Sequence, residues 1–204
     1  MQRLRLSKET SHSASSTPAA KGMIDYRAMK AAAGRRAKVK SLDQERMRDL
    51  YLFTARTMET DHPVPYGALI VNSKTGERLV RATNNVAREN DPSSHAELRA
   101  VRLACKKLKR PSLAGYTMYS TCEPCAMCMG NALWARLDRV VFGATIADGN
   151  RYCIQIRVPA RQVARRADMV CVVDGPVLRE LCCTLFTHPN MQRAFRAGFA
   201  QPES

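Results

Sequence analysis

No stretch of this chain approaches the roughly 18–20 consecutive apolar residues that a membrane-spanning helix needs. The basic N-terminus is not followed by an apolar core, so it does not read as a secretory signal. Together these two absences point to a cytoplasmic protein without a membrane partner. Aromatic residues are scarce, 6% of the chain with a single Trp, which argues against a broad base-stacking platform. Acidic residues are also short, 18 against 33 Lys and Arg, and no internal repeat stands out.

What is present describes an ordinary globular chain. Its 204 residues, 45% of them hydrophobic, can bury a sizeable core and favour one domain over two. The net charge of +15 is unevenly spread, with 12 basic and 5 acidic side chains in residues 1–50. Such a surface attracts phosphates, and it equally serves solubility, so both readings stay open. Eight cysteines occur in all. A disulfide framework is a poor fit to this length without a secretory signal. Three of the eight crowd into TCEPCAMC (121–128), where close spacing around a proline suits metal binding better.

Residues 1–22 are polar and Ser-rich, and the whole segment 1–40 reads as a disordered basic extension. The folded domain is expected over 41–204. Ser41 is placed as the N-cap of a first helix whose apolar face carries Leu42, Met47, Leu50, Phe53 or Thr54, and Met58. Two strands follow at 65–72 and 77–83, joined by a turn at SKTG into a hairpin. The turn-rich segment 84–94 leads into a helix from about His95 to Arg110, with Leu98, Val101, Cys105 and Leu108 stacked. Strands at 115–121, 138–145 and 169–175 then alternate with helices at 124–137, near 160–167 and at 176–187, and a last helix covers 190–200. A helix between strands four and five implies that they run parallel. The class is α/β, a sheet covered by helices.

Two short motifs carry the chemistry: His95-Ala96-Glu97 and Pro124-Cys125-Ala126-Met127-Cys128. Cysteines three apart in the first turn of a helix lie on nearly one face, so both sulfurs reach one ion. The helix N-terminus favours thiolates over thiols. His95 adds a nitrogen ligand, and three protein ligands leave the fourth tetrahedral position of a zinc ion open for water. Glu97 stands two residues after His95, a spacing that puts side chains on opposite faces of an ideal helix. Convergence requires His95 at the extreme first turn, with Ser94 as N-cap. Glu97 then takes a proton from water and passes it to a leaving amine. A closed structural site would need a fourth ligand; Cys122 is the candidate, and reads better as a packed thiol.

The combination of HAE and PCxxC, each opening a helix, resembles the zinc-dependent deaminases of the cytidine deaminase superfamily. NNVARENDPSSHAELRAVRLACKKL and STCEPCAMCMGNALWARLDRVVFGA look like the bacterial guanine deaminase branch. Nucleoside deaminases and bacterial tRNA adenosine deaminases share much of the pattern, and RVVFGA is similar to the tRNA branch as well. The resemblance covers roughly residues 63–148. It implies a three-layer α/β/α sandwich around a five-stranded mixed sheet, assembled as a homodimer or larger oligomer. It carries the zinc ligands to His95, Cys125 and Cys128, the proton shuttle to Glu97, and a base-contacting amide to Asn85, with Asn84 the neighbour if the register is off by one. The chain departs from the guanine branch at Ala126, where that branch commonly has proline. The acidic segment after strand four is replaced by ADGNRYCIQIRVPARQV, with Asp148 the only nearby acid, and the C-terminal region is also unlike the family's.

The leading expectation is therefore hydrolytic removal of an exocyclic amine from a small nucleobase or nucleoside, a purine such as guanine, with release of ammonia. The second is deamination of adenosine in tRNA, which the positive charge supports. A non-catalytic zinc module is the third, and the intact Glu97 counts against it.

Overall fold

The computed structural model describes residues 26–197. It divides into two units, Met1–Arg36 and Ala37–Ser204. Of the first, the described part is residues 26–36, the opening turns of helix α1 (Tyr26–Ala55); the Ser-rich segment 1–22 lies outside the described residues. Ser41 is not an N-cap, because α1 runs straight through it. Residues 26–40 are dominated by Ala, Lys and Arg and contain no proline, so nothing stops a helix there.

The buried stripe of the first helical stretch is the expected one except at its first position. Leu42 is 41% exposed, and the inward positions are Asp43, Met47, Leu50, Thr54 and, in the 3-10 turn Arg56–Glu59, Met58. A carboxylate holds a core position here because it is fully paired. Asp43 accepts from Arg139 at 2.8 and 2.7 Å and from the Tyr119 hydroxyl at 2.7 Å.

The five strands are β1 (Gly67–Asn72), β2 (Arg78–Thr83), β3 (Tyr116–Cys122), β4 (Arg139–Ala144) and β5 (Val172–Asp174), in the order β2-β1-β3-β4-β5. The β1–β2 hairpin forms as expected, and β1 also pairs antiparallel with β3. The β3–β4 and β4–β5 pairs are parallel, so the sheet is mixed. Between β4 and β5 lies the expected helix, α6 (Ala160–Arg165).

Side chains alternate across the sheet with period two and feed two separate cores. Ala68, Ile70, Met118 and Val140 face α3 (Ala96–Leu108), α4 (Ala126–Trp134) and α6. Leu69, Val71, Tyr119 and Val141 face Met47 and Leu50 of α1 and Cys182 and Phe186 of α7 (Arg179–Thr187). This is the three-layer α/β/α sandwich. The face of α3 is smaller than expected: Ala96, Ala100, Val101 and Ala104 are buried, while Leu98, Cys105 and Leu108 are only half-buried. Alanines let the helix lie close to the sheet. A Cβ at Gly67 would run into the Thr54 hydroxyl, so the start of β1 needs glycine beneath α1.

Short helices α2 (Val86–Glu89) and α5 (Ile146–Gly149) occupy segments expected as plain loop. The last described helix is α8 (Pro189–Arg196). No helix among the described residues is long and apolar enough to cross a membrane.

Candidate metal centre

The C-terminal end of β3 feeds directly into α4, and the N-terminus of α3 comes up beside it. His95 and Cys125 are the N-caps of these two helices, both with extended backbone (φ −66°, ψ 152° and φ −65°, ψ 171°). Neither side chain makes a capping hydrogen bond. Positions that Ser or Asp would ordinarily fill are free to bind something else. Ser94, expected as the cap, lies one residue earlier, where its buried hydroxyl donates to Glu89 and Asp91. Pro124 likewise precedes the N-cap and is not in the first turn of α4.

The extended N-cap resolves the spacing of His95 and Glu97. Two residues apart on a helix they would diverge, but His95 has left the helical conformation and its ring swings toward Cys125 and Cys128. The Cys125 and Cys128 sulfurs are 3.6 Å apart, and His95 Nδ1 lies 3.8 and 3.5 Å from them. Tetrahedral zinc with bonds of about 2.3 Å to sulfur and about 2.0 Å to nitrogen has ligand–ligand edges of about 3.5–3.8 Å. The triangle therefore already has the size of a zinc site. Its chemistry agrees. The hydrogen bond between Cys125 and Cys128 holds the Cys125 thiol down to about 4, and the same bond, with burial, pushes Cys128 up. Two thiolates this close cannot coexist without a cation between them, which is what the helix N-termini and a divalent ion supply.

Glu97, in the first turn of α3, is buried beside this triangle, and Ser120 of β3 donates to its Oε1 at 3.1 Å. Burial raises its carboxyl above the ordinary range. Cys122 does not join the trio among the described residues. It is the last residue of β3, buried, with its sulfur directed to the Thr145 carbonyl at 3.6 Å, and burial pushes its thiol up. It is a packed thiol.

A cavity of about 540 Å³ opens over the trio. Its walls include Val64 and Tyr66 before β1, Asn84 and Val86, Glu97, Cys153–Ile156, and Met191 and Phe195 of α8. Asn84 lines this cavity and Asn85 does not. The Asn85 amide instead donates to Glu89 at 2.7 Å. No described lining residue is Lys or Arg.

The profile of the cytidine and deoxycytidylate deaminase zinc-binding region matches residues 40–144. The chain belongs to this family. The guanine deaminase of Bacillus subtilis (strain 168) is 44% identical to this deaminase-family chain over 84 residues, 41% of the chain. The chain spans about half that relative's length, 53%. The tRNA-specific adenosine deaminase of the same organism is 38% identical over 128 residues, 63% of this chain and 76% of that enzyme. A guanine deaminase from Nitrosomonas europaea superposes with a TM-score of 0.64 at 22% identity, covering 76% of this chain and 84% of that one, and so shares the fold.

Zinc is thus the metal of this family's binding region, and His95, Cys125 and Cys128 are the candidate site for it. Several pocket residues carry no signal in the sequence. Tyr66 and Gln155 are 89 positions apart, and Met191 and Phe195 come from a helix outside the matched region. Glu123, inside the CEPC motif, has a structural task that only the fold reveals. Its two oxygens accept from Ile146 N at 3.2 Å and Ala160 N at 3.0 Å, pinning both ends of the pocket segment.

Proposed function

We propose that this chain hydrolyses the exocyclic amine of a neutral aminopurine base or nucleoside, with guanine the leading candidate, releasing ammonia. The observation that carries the reading is the cavity's composition: apolar walls, a few amides, and no Lys or Arg among its described lining residues in a chain of net charge +15. Such a pocket suits a flat, uncharged ring and offers nothing to a substrate phosphate.

His95, Cys125 and Cys128 hold the zinc, which when bound makes water nucleophilic near neutral pH. Glu97 receives a proton at its carboxylate and delivers it to the departing amine, while Ser120 fixes the orientation of the carboxylate. Asn84, rather than Asn85, contacts the base. Its Oδ1 accepts from Val86 N at 3.1 Å, which leaves the amide N–H groups for an acceptor on the ring. We also place the protein in the cytoplasm as a homodimer. None of its eight cysteines is in a disulfide, as a reducing compartment keeps them.

A second reading, adenosine deamination in tRNA, is supported by the 38% identity to the Bacillus tRNA enzyme and by the charge. Ammonia release measured across free bases, nucleosides and tRNA separates the two. Turnover of a free purine with little dependence on salt is the expected result. Turnover of tRNA alone, falling about 10³–10⁵-fold between low and moderate salt as several phosphate contacts are screened, would replace it with the second reading.

A further inference from the structure

The wall of the cavity formed by residues 153–156 has neither helix nor strand, yet its polar groups are ordered. Gln155 Nε2 lies 2.8 Å from the Tyr66 hydroxyl and 3.2 Å from Cys153 Sγ, and the Tyr66 hydroxyl lies 2.9 Å from Cys153 Sγ. The direction of each bond follows from one fixed end. Cys153 Sγ is 3.7 Å from the Gly149 carbonyl, which can only accept, so the thiol proton goes there. The sulfur then accepts from Tyr66. The phenolic oxygen, having given its own proton, accepts from the Gln155 amide. Burial, then the neighbouring Cys153, raises Tyr66 well above its ordinary value, so this phenol keeps its proton.

The consequence falls on Gln155. The amide nitrogen is engaged by Tyr66 and Cys153, which fixes the side chain's orientation and leaves Oε1 without a hydrogen bond among the described residues. Among the side chains of this wall Gln155 thus offers an acceptor, Oε1, on a segment whose ends are pinned by Glu123.

We propose that Gln155 is a specificity-determining residue that reads a ring N–H of the base through Oε1, so that the preferred substrates are aminopurines unalkylated at that nitrogen. This rests on the purine-deaminase reading above. An acceptor held in a mostly apolar wall discriminates because a substrate without the N–H leaves it unpaired. Tyr66 acts as a positioning residue. Without its hydroxyl the amide is free to turn and present its N–H groups instead.

The test uses zinc-loaded full-length protein, with the best purine from the ammonia-release panel and its derivatives methylated in turn at each ring N–H. Calorimetric binding and kcat/KM are both read. Wild type is expected to disfavour one methylated derivative by about ten- to a hundred-fold. Gln155→Met is expected to erase most of that preference, and Tyr66→Phe to reduce it, with zinc content and Tm unchanged. Purine turnover with the same preference in wild type and Gln155→Met overturns the role of Gln155 and leaves the purine reading standing. Neither binding nor turnover of any purine by wild type overturns both.

Discussion

The hydroxyl of Ser120 donates to Glu97 Oε1 across 3.1 Å, joining the central strand β3 to the acid beside the metal centre. Both groups are buried, so the bond sets where the carboxylate points and not merely how it is solvated. Ser120→Ala is expected to lower kcat about ten-fold with zinc content and Tm preserved. Steady-state ammonia release checks it. An unchanged kcat would show that the carboxylate is positioned by other contacts.

The two adjacent asparagines are expected to differ sharply. Asn84→Ala removes an amide from the cavity and should cost about 1–3 kcal/mol in kcat/KM, since a buried ring acceptor loses its donor. Asn85→Ala breaks only the link to Glu89 near the surface and should change kcat/KM less than about three-fold. The reverse ranking would return the base contact to Asn85.

That one-residue ambiguity shows where the sequence is legible. Cys125 and Cys128 were readable because two ligands in one turn share a face whatever surrounds them. His95 and Glu97 looked incompatible by helical periodicity, and only the extended N-cap at His95 brings the two together around the trio. Asp43 was unreadable as a core residue. Its polarity assigns it to the surface, and its partner Arg139 lies 96 positions away. The run MVCVVDG overstated β5: only Val172–Asp174 pair, and Val170 is 89% exposed, because an apolar run at a sheet edge need not be buried. Gln155 has no pattern at all, since loop geometry and not periodicity places it.

Asp148, the one acid in the segment 147–163 that follows β4, has a structural role with a pH signature. It completes a capping box with Thr145 and pairs with Arg179 at 2.6 and 2.8 Å. The Arg179 guanidinium first, then the Thr145 backbone and hydroxyl, hold its carboxyl well below the ordinary range. A folded-state value below the unfolded one means the ionised form stabilises the fold. That stabilisation is complete above the unfolded carboxylate value of about 4 and is lost as pH falls further. Asp148→Asn is expected to lower the urea midpoint at pH 7. The gap from wild type should narrow progressively below about pH 4. A gap that does not depend on pH would mean that the charge of Asp148 contributes nothing.

Zinc content and ammonia release measured on the same samples of wild type, Glu97→Gln and Cys125→Ser/Cys128→Ser test the centre most directly. Wild type should carry one zinc per chain and release ammonia from a purine. Glu97→Gln should keep the zinc and lose about 10²–10⁴-fold in turnover, and the double cysteine variant should lose both. Full zinc occupancy in the double cysteine variant, or more than about a tenth of wild-type turnover in Glu97→Gln, would contradict the assignment.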